Sequence, residues 1–97
     1  MFVTLADQSD TAQSQRNGME DRLHNWGAWK RKEPLADAED ARTVDATVQK
    51  LSPDDRAAVT ATYVQFPYQS VYYVCSEISM PPSWINRAIE KVKRGLA

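Results

Sequence analysis

Apolar side chains in this chain recur at helical rather than strand intervals, in short runs separated by polar or proline-bearing breaks. Met19, Leu23, Trp26 and Trp29 (or Lys30) set the first run, with Gly27 as its weak point. Glu33, Pro34, Leu35 and Ala36 break it. Asp37 is placed to cap a second helix, whose acidic first turn suits the positive end of the helix dipole. Ala41, Val44, Val48 and Leu51 mark its buried stripe, and it ends near Lys50. Ser52 then caps a third helix, with Pro53 at the first position, where its missing N–H costs nothing, and Asp55 at the third. That helix is predicted over Pro53 to Gln65, burying Val59, Tyr63, part of Ala58 and Ala61 or Thr62, and ending at Phe66 and Pro67.

The segment QSVYYVCSEI, residues 69–78, has the composition of a strand. Val71, Val74, Cys75 and Ile78 nevertheless fit helical spacing better than alternation, and a fourth helix is predicted. Ser79, Met80, Pro81 and Pro82 interrupt the pattern. It resumes as Trp84, Ile85, Ala88, Ile89 and Val92, with Gly95 as the stop. The fold class is therefore all-α, a compact bundle of about five short helices. Residues 6–18 are polar without apolar period, residues 1–18 read as a disordered extension, and the fold occupies 19–97.

The proline pair allows two readings: a plain helical hairpin, or the turn of a helix-turn-helix over about residues 69–95. In the second, Cys75 is the small residue at the helix crossing, Ser79 takes the turn in place of the usual glycine, and Met80 plugs the core. Ile85 and Ile89 fill the later core positions, while Pro81 and Pro82 stop one helix and start the next. The outward face of the last helix would then carry Ser83, Asn86, Arg87, Glu90, Lys91 and Arg94. Arginine suits guanine and asparagine suits adenine, which points Arg87 and Asn86 at base edges and Lys91, Lys93 and Arg94 at phosphates. Trp84 is either core or an aromatic set against the nucleic-acid backbone.

Charge supports a local reading only. The formal total over 97 residues is −1. Yet residues 37–55 hold Asp37, Glu39, Asp40, Asp45, Asp54 and Asp55 against Arg42 and Lys50, and residues 84–97 hold Arg87, Lys91, Lys93 and Arg94 against Glu90. A basic helix on a near-neutral chain can still engage phosphate. The acidic stretch is otherwise a solvated helix face.

One cysteine, Cys75, excludes an internal disulfide and fits a reducing cytoplasm, where it serves as a small packing residue. Cys75 and His24 alone cannot build a structural zinc site, and no cofactor motif is present. Nothing resembles a nucleophile elbow, a phosphate loop or a paired-carboxylate site, so the chain does not read as an enzyme and His24 reads as a surface residue. No apolar run spans a bilayer and no signal peptide is visible, so no membrane partner is expected; a domain this small makes a homodimer or another partner reasonable.

The order LHNWGAWKR (Leu23–Arg31), DAEDARTVDATVQKL, DDRAAVTATYVQ and a basic-ended helical pair resembles the small, zinc-free antitermination Q proteins of lambdoid phages. The likeness covers about residues 19–96 and rests most on the paired tryptophans of WGAW, with Tyr63-Val64 matching a family Y-V segment. The turn departs from it, carrying Met-Pro-Pro where the family has a glycine and a polar cap. The resemblance implies a helix-turn-helix of the sigma region 4 type. It also implies a factor of the bacterial host cytoplasm that binds double-stranded DNA at a late promoter and loads onto paused RNA polymerase. Such a factor suppresses terminator hairpins without catalysis. It further implies that Trp26, Trp29, Lys30 and Arg31, or the acidic second helix, face polymerase, sigma factor or a second copy. By residue spacing alone the two tryptophans are core first and partner site second. A helix-turn-helix repressor or sigma-like regulator and a helical polymerase adaptor that never touches DNA are the competing functions.

Overall fold

A computed structural model describes residues 18–97, and the described residues are helical with no strand. The expectation of a disordered extension falls on residues 1–17, outside that range; Gly18, placed in the extension by sequence, is already helical. Five helices follow: α1 (residues 18–30), α2 (Ala38–Val48), α3 (Pro53–Thr60), α4 (Val71–Ile78) and α5 (Pro82–Leu96).

Local chemistry sets most of these boundaries. The Asp37 carboxylate accepts from the N–H groups of Glu39 and Asp40 at the start of α2. The Ser52 hydroxyl accepts from the Asp55 N–H at the start of α3, and the Ser70 hydroxyl from the Tyr73 N–H at the start of α4. After Thr60 the backbone widens into a π-helical turn, Ala61–Gln65, closed by the Phe66 N–H donating to the Ala61 carbonyl at 2.8 Å. The carbonyls of Tyr63 and Val64 there accept from Arg31 Nη1 at 2.7 and 3.3 Å.

One contiguous core joins the helices. Leu23 and Trp26 of α1, Val44 and Val48 of α2, Ala58 and Val59 of α3, Val74 of α4 and Ile85, Ala88 and Val92 of α5 are all buried. Each Val- or Leu-sized side chain so buried stabilises the fold by about 1.5–3 kcal/mol before ordering entropy is counted. α5 packs against α2, α3 and α4, which makes it the axis of the bundle.

The glycines behave differently from their sequence reading. Gly27 interrupts no helix; a Cβ there would stand 2.0 Å from the Tyr63 carbonyl oxygen, so α1 and the π-helical turn meet backbone to backbone. Gly95 does not stop α5, which continues through it to Leu96; it lies against Thr47 of α2 instead.

The acidic stretch is also less solvated than its composition implies. Asp40 binds Arg22 Nε at 3.0 and 3.3 Å, and the Asp37 backbone exchanges two hydrogen bonds with the Asn25 amide. Asp45 accepts from the Trp26 indole N–H at 3.1 Å and faces Lys30 Nζ at 3.8 Å. α2 turns this charge toward α1.

Candidate nucleic-acid interface

α4 ends at Ser79, which adopts the left-handed conformation (φ 57°, ψ 43°). The Ser79 and Met80 N–H groups both fold back onto the Cys75 carbonyl, the Met80 bond at 3.1 Å, which satisfies an orphan carbonyl at the helix end. Cys75 and Met80 are both half-buried against the core. Pro81 is extended (φ −64°, ψ 148°) and Pro82 opens α5 with no side-chain cap, so α5 begins by proline geometry rather than by a capping hydroxyl.

From that start the burial of α5 alternates as a helix face should. Ile85, Ala88 and Val92 are buried and Ile89 is half-buried. Ser83, Asn86, Arg87, Glu90, Lys91 and Arg94 are all exposed. Trp84, open by sequence between core and surface, is 41% exposed at the first turn and so is not core.

The cations of this helix divide into two kinds. Lys91 Nζ donates to Asp55 Oδ2 at 2.7 Å, and Asp55 is the buried charged residue of α3, 5% exposed. Lys93 Nζ lies 2.8 Å from Glu20 Oε1 of α1, and the same carboxylate accepts from the Tyr63 hydroxyl at 2.9 and 3.1 Å. Arg87 and Arg94, by contrast, have no ion-pair partner among the described residues. The Lys91 hydrogen bond holds the Asp55 carboxyl below its ordinary value against the opposing effect of burial, with smaller help from Ser52 and Trp84. Burial pushes the Glu20 carboxyl up, but Lys93 and Tyr63 together outweigh it and hold it low. The Tyr63 hydroxyl is driven far upward by burial and by the Glu20 charge, and stays a donor.

The residues singled out on α1 come apart in space. Trp26 is 1% exposed, so it is core and offers nothing to a partner. Arg31 is occupied by the carbonyls of Tyr63 and Val64 and by Glu33 at 2.7 Å. Trp29, half-buried beneath Lys30 Nζ at 5.9 Å from its ring centroid, and the exposed Lys30 keep accessible surface, while Arg31 is half-buried with its guanidinium already engaged. His24 is not a simple surface residue: its ring stacks on Tyr68 at 4.4 Å and meets the Tyr63 ring edge-on at 5.0 Å.

Sequence reasoning missed Asp55 as the partner of Lys91 and Glu20 as the partner of Lys93. Asp55 carried a signal only as a cap residue three positions after Ser52; nothing local ties it to a lysine 36 residues away. Among the described residues no group of three or more His, Cys, Asp or Glu side chains is placed to hold a metal, and no helix is long and apolar enough to cross a membrane. Comparison of the chain with known protein families, curated protein sequences and solved structures returned no match.

Proposed function

We propose that α4, the Ser79 turn and α5 act as a helix-turn-helix that docks α5 on double-stranded DNA, and that the protein serves transcription as a non-catalytic antiterminator. The observation that carries the DNA reading is the division of α5: a buried Ile85–Ala88–Val92 stripe opposite an exposed face holding Asn86, Arg87 and Arg94. Asn86 and Arg87 sit one turn into the helix, where side chains of a docked recognition helix reach base edges. Arg94, two turns further, is suited to a phosphate. The antitermination part rests on the resemblance of the Leu23–Arg31 and C-terminal segments to the small phage Q proteins, and bacterial RNA polymerase is the partner it names.

The test is a reconstituted transcription reaction carrying a late promoter of the source genome and a downstream terminator. The expected result is read-through on adding the protein and its loss with Arg87→Ala. DNA binding with unchanged termination would replace antitermination by repression. Absence of both would leave a helical adaptor, a reading supported by the exposed aromatics Tyr68, Tyr72, Tyr73 and Trp84.

A further inference from the structure

Four cations lie on the last three turns of α5, and the structure treats the lysines and the arginines differently. Lys91 reaches down to Asp55 of α3 at 2.7 Å, and Lys93 reaches to Glu20 of α1 at 2.8 Å. Asp55 is 7% exposed in its side chain while Lys91 is 46% exposed, so the carboxylate is buried and the ammonium closes it off from solvent. A carboxylate in that position holds its cation, because letting it go leaves an unpaired buried charge. Arg87 and Arg94 have no such anchor among the described residues and are exposed. They are seven residues apart, close to two full turns, so they share one face about 10 Å apart along the axis.

We infer that Lys91 is a positioning residue: it ties α5 to α3 through Asp55, and the cations of α5 that meet a nucleic-acid backbone or base are Arg87 and Arg94. This rests on reading α5 as the DNA-facing helix, and it assigns roles within that face that its charge pattern alone does not. Compact lysine ammonium groups serve as point charges against single carboxylates, whereas the planar guanidinium forks left free match phosphates and guanine edges. Asp55 holds the Lys91 ammonium against α3, and the buried Ile85, Ala88 and Val92 stripe seats the helix that carries the arginines.

Two measurements on the full chain test this: urea unfolding, and titration of a mixed-sequence DNA duplex across salt concentrations. Lys91→Met and Asp55→Asn are each expected to lower the urea midpoint. The double variant is expected to lose much less than the sum of the two, and Lys91→Arg to regain most of the loss. In the titration, Arg94→Ala should reduce the log–log salt slope by about 0.9, the contribution of one neutralised phosphate, while Arg87→Ala, placed at base edges, should weaken binding with a smaller change of slope. The Asp55→Asn/Lys91→Met double variant should keep the wild-type slope. A slope lowered by about 0.9 in that double variant would make Lys91 a phosphate contact and overturn the assignment. Strictly additive midpoint shifts would overturn the strut. A wild-type chain that binds no duplex at low salt would remove the arginine assignment together with the reading beneath it, while the urea cycle still judges the strut.

Discussion

At the scale of single residues, the sharpest constraints are places where a side chain is absent or a backbone is turned the unusual way. Gly27 meets the Tyr63 carbonyl so closely that a Cβ would stand 2.0 Å from a backbone oxygen, which cannot rotate aside. Gly27→Ala should therefore destabilise by about 1–3 kcal/mol of overpacking even after the roughly 1 kcal/mol gained in helix propensity. A lower urea midpoint at unchanged m-value would show it. Gly95→Ala makes the opposite case. Its Cβ would meet the Thr47 side chain, Cγ2 at 2.7 Å and Cβ at 4.0 Å, and no backbone, and a change of the Thr47 χ1 rotamer moves the methyl away. Stability there should be unchanged or slightly raised, by up to about 1 kcal/mol. Ser79 is held left-handed without being glycine, at a cost of roughly 1 kcal/mol. Ser79→Gly should recover up to about that amount in the same unfolding assay, and Ser79→Val should lose stability.

Between elements, α5 is held by packing on one side and by two ion pairs at its edges. The Asp55–Lys91 pair is half-buried, so removing one member should cost roughly 1–3 kcal/mol, between the values for exposed and for fully buried pairs. Its pH dependence follows from the direction of the Asp55 shift. The folded-state value lies below the ordinary 3.8, so the stabilisation is complete above that value and is lost as pH falls through the folded one. Glu20, held low by Lys93 and Tyr63, adds to the same acid limb. Thermal unfolding followed from neutral pH downward should show a midpoint falling mainly at and below pH 3.8, and Asp55→Asn should flatten that fall. A midpoint falling as steeply in the variant would show that the pair contributes little.

For the molecule as a whole, the arrangement of charge sets what the proposed DNA contact would have to work with. α2 spends Asp40 and Asp45 on Arg22, Trp26 and Lys30, and α5 spends its lysines on Asp55 and Glu20. Two arginines then remain for phosphates or bases on α5. If both neutralise phosphates, the salt slope is about −1.8, and raising salt fourfold should weaken binding only about tenfold. The proposed DNA contact is thus shallow in its salt dependence. A steep slope in a duplex titration would point to cations outside α5.

How much of this was legible along the chain follows from the range of the interactions. Helix starts are local: Asp37, Ser52 and Pro82 act on N–H groups within three residues or through their own ring, so the sequence pattern located them. The apolar stripes likewise marked Leu23, Val44, Val59 and Ile85 as core, because burial on a helix repeats with its turn. What only the tertiary structure decided is which charges meet and which backbones touch. Asp55 with Lys91, Glu20 with Lys93, Gly27 against Tyr63 and Gly95 against Thr47 all join residues at least 36 positions apart. No periodicity encodes such pairs; they exist because packing the stripes brings those helices side by side. The same packing buried Trp26, left Trp84 at the surface, and gave the lysines of α5 carboxylate partners that its arginines lack among the described residues.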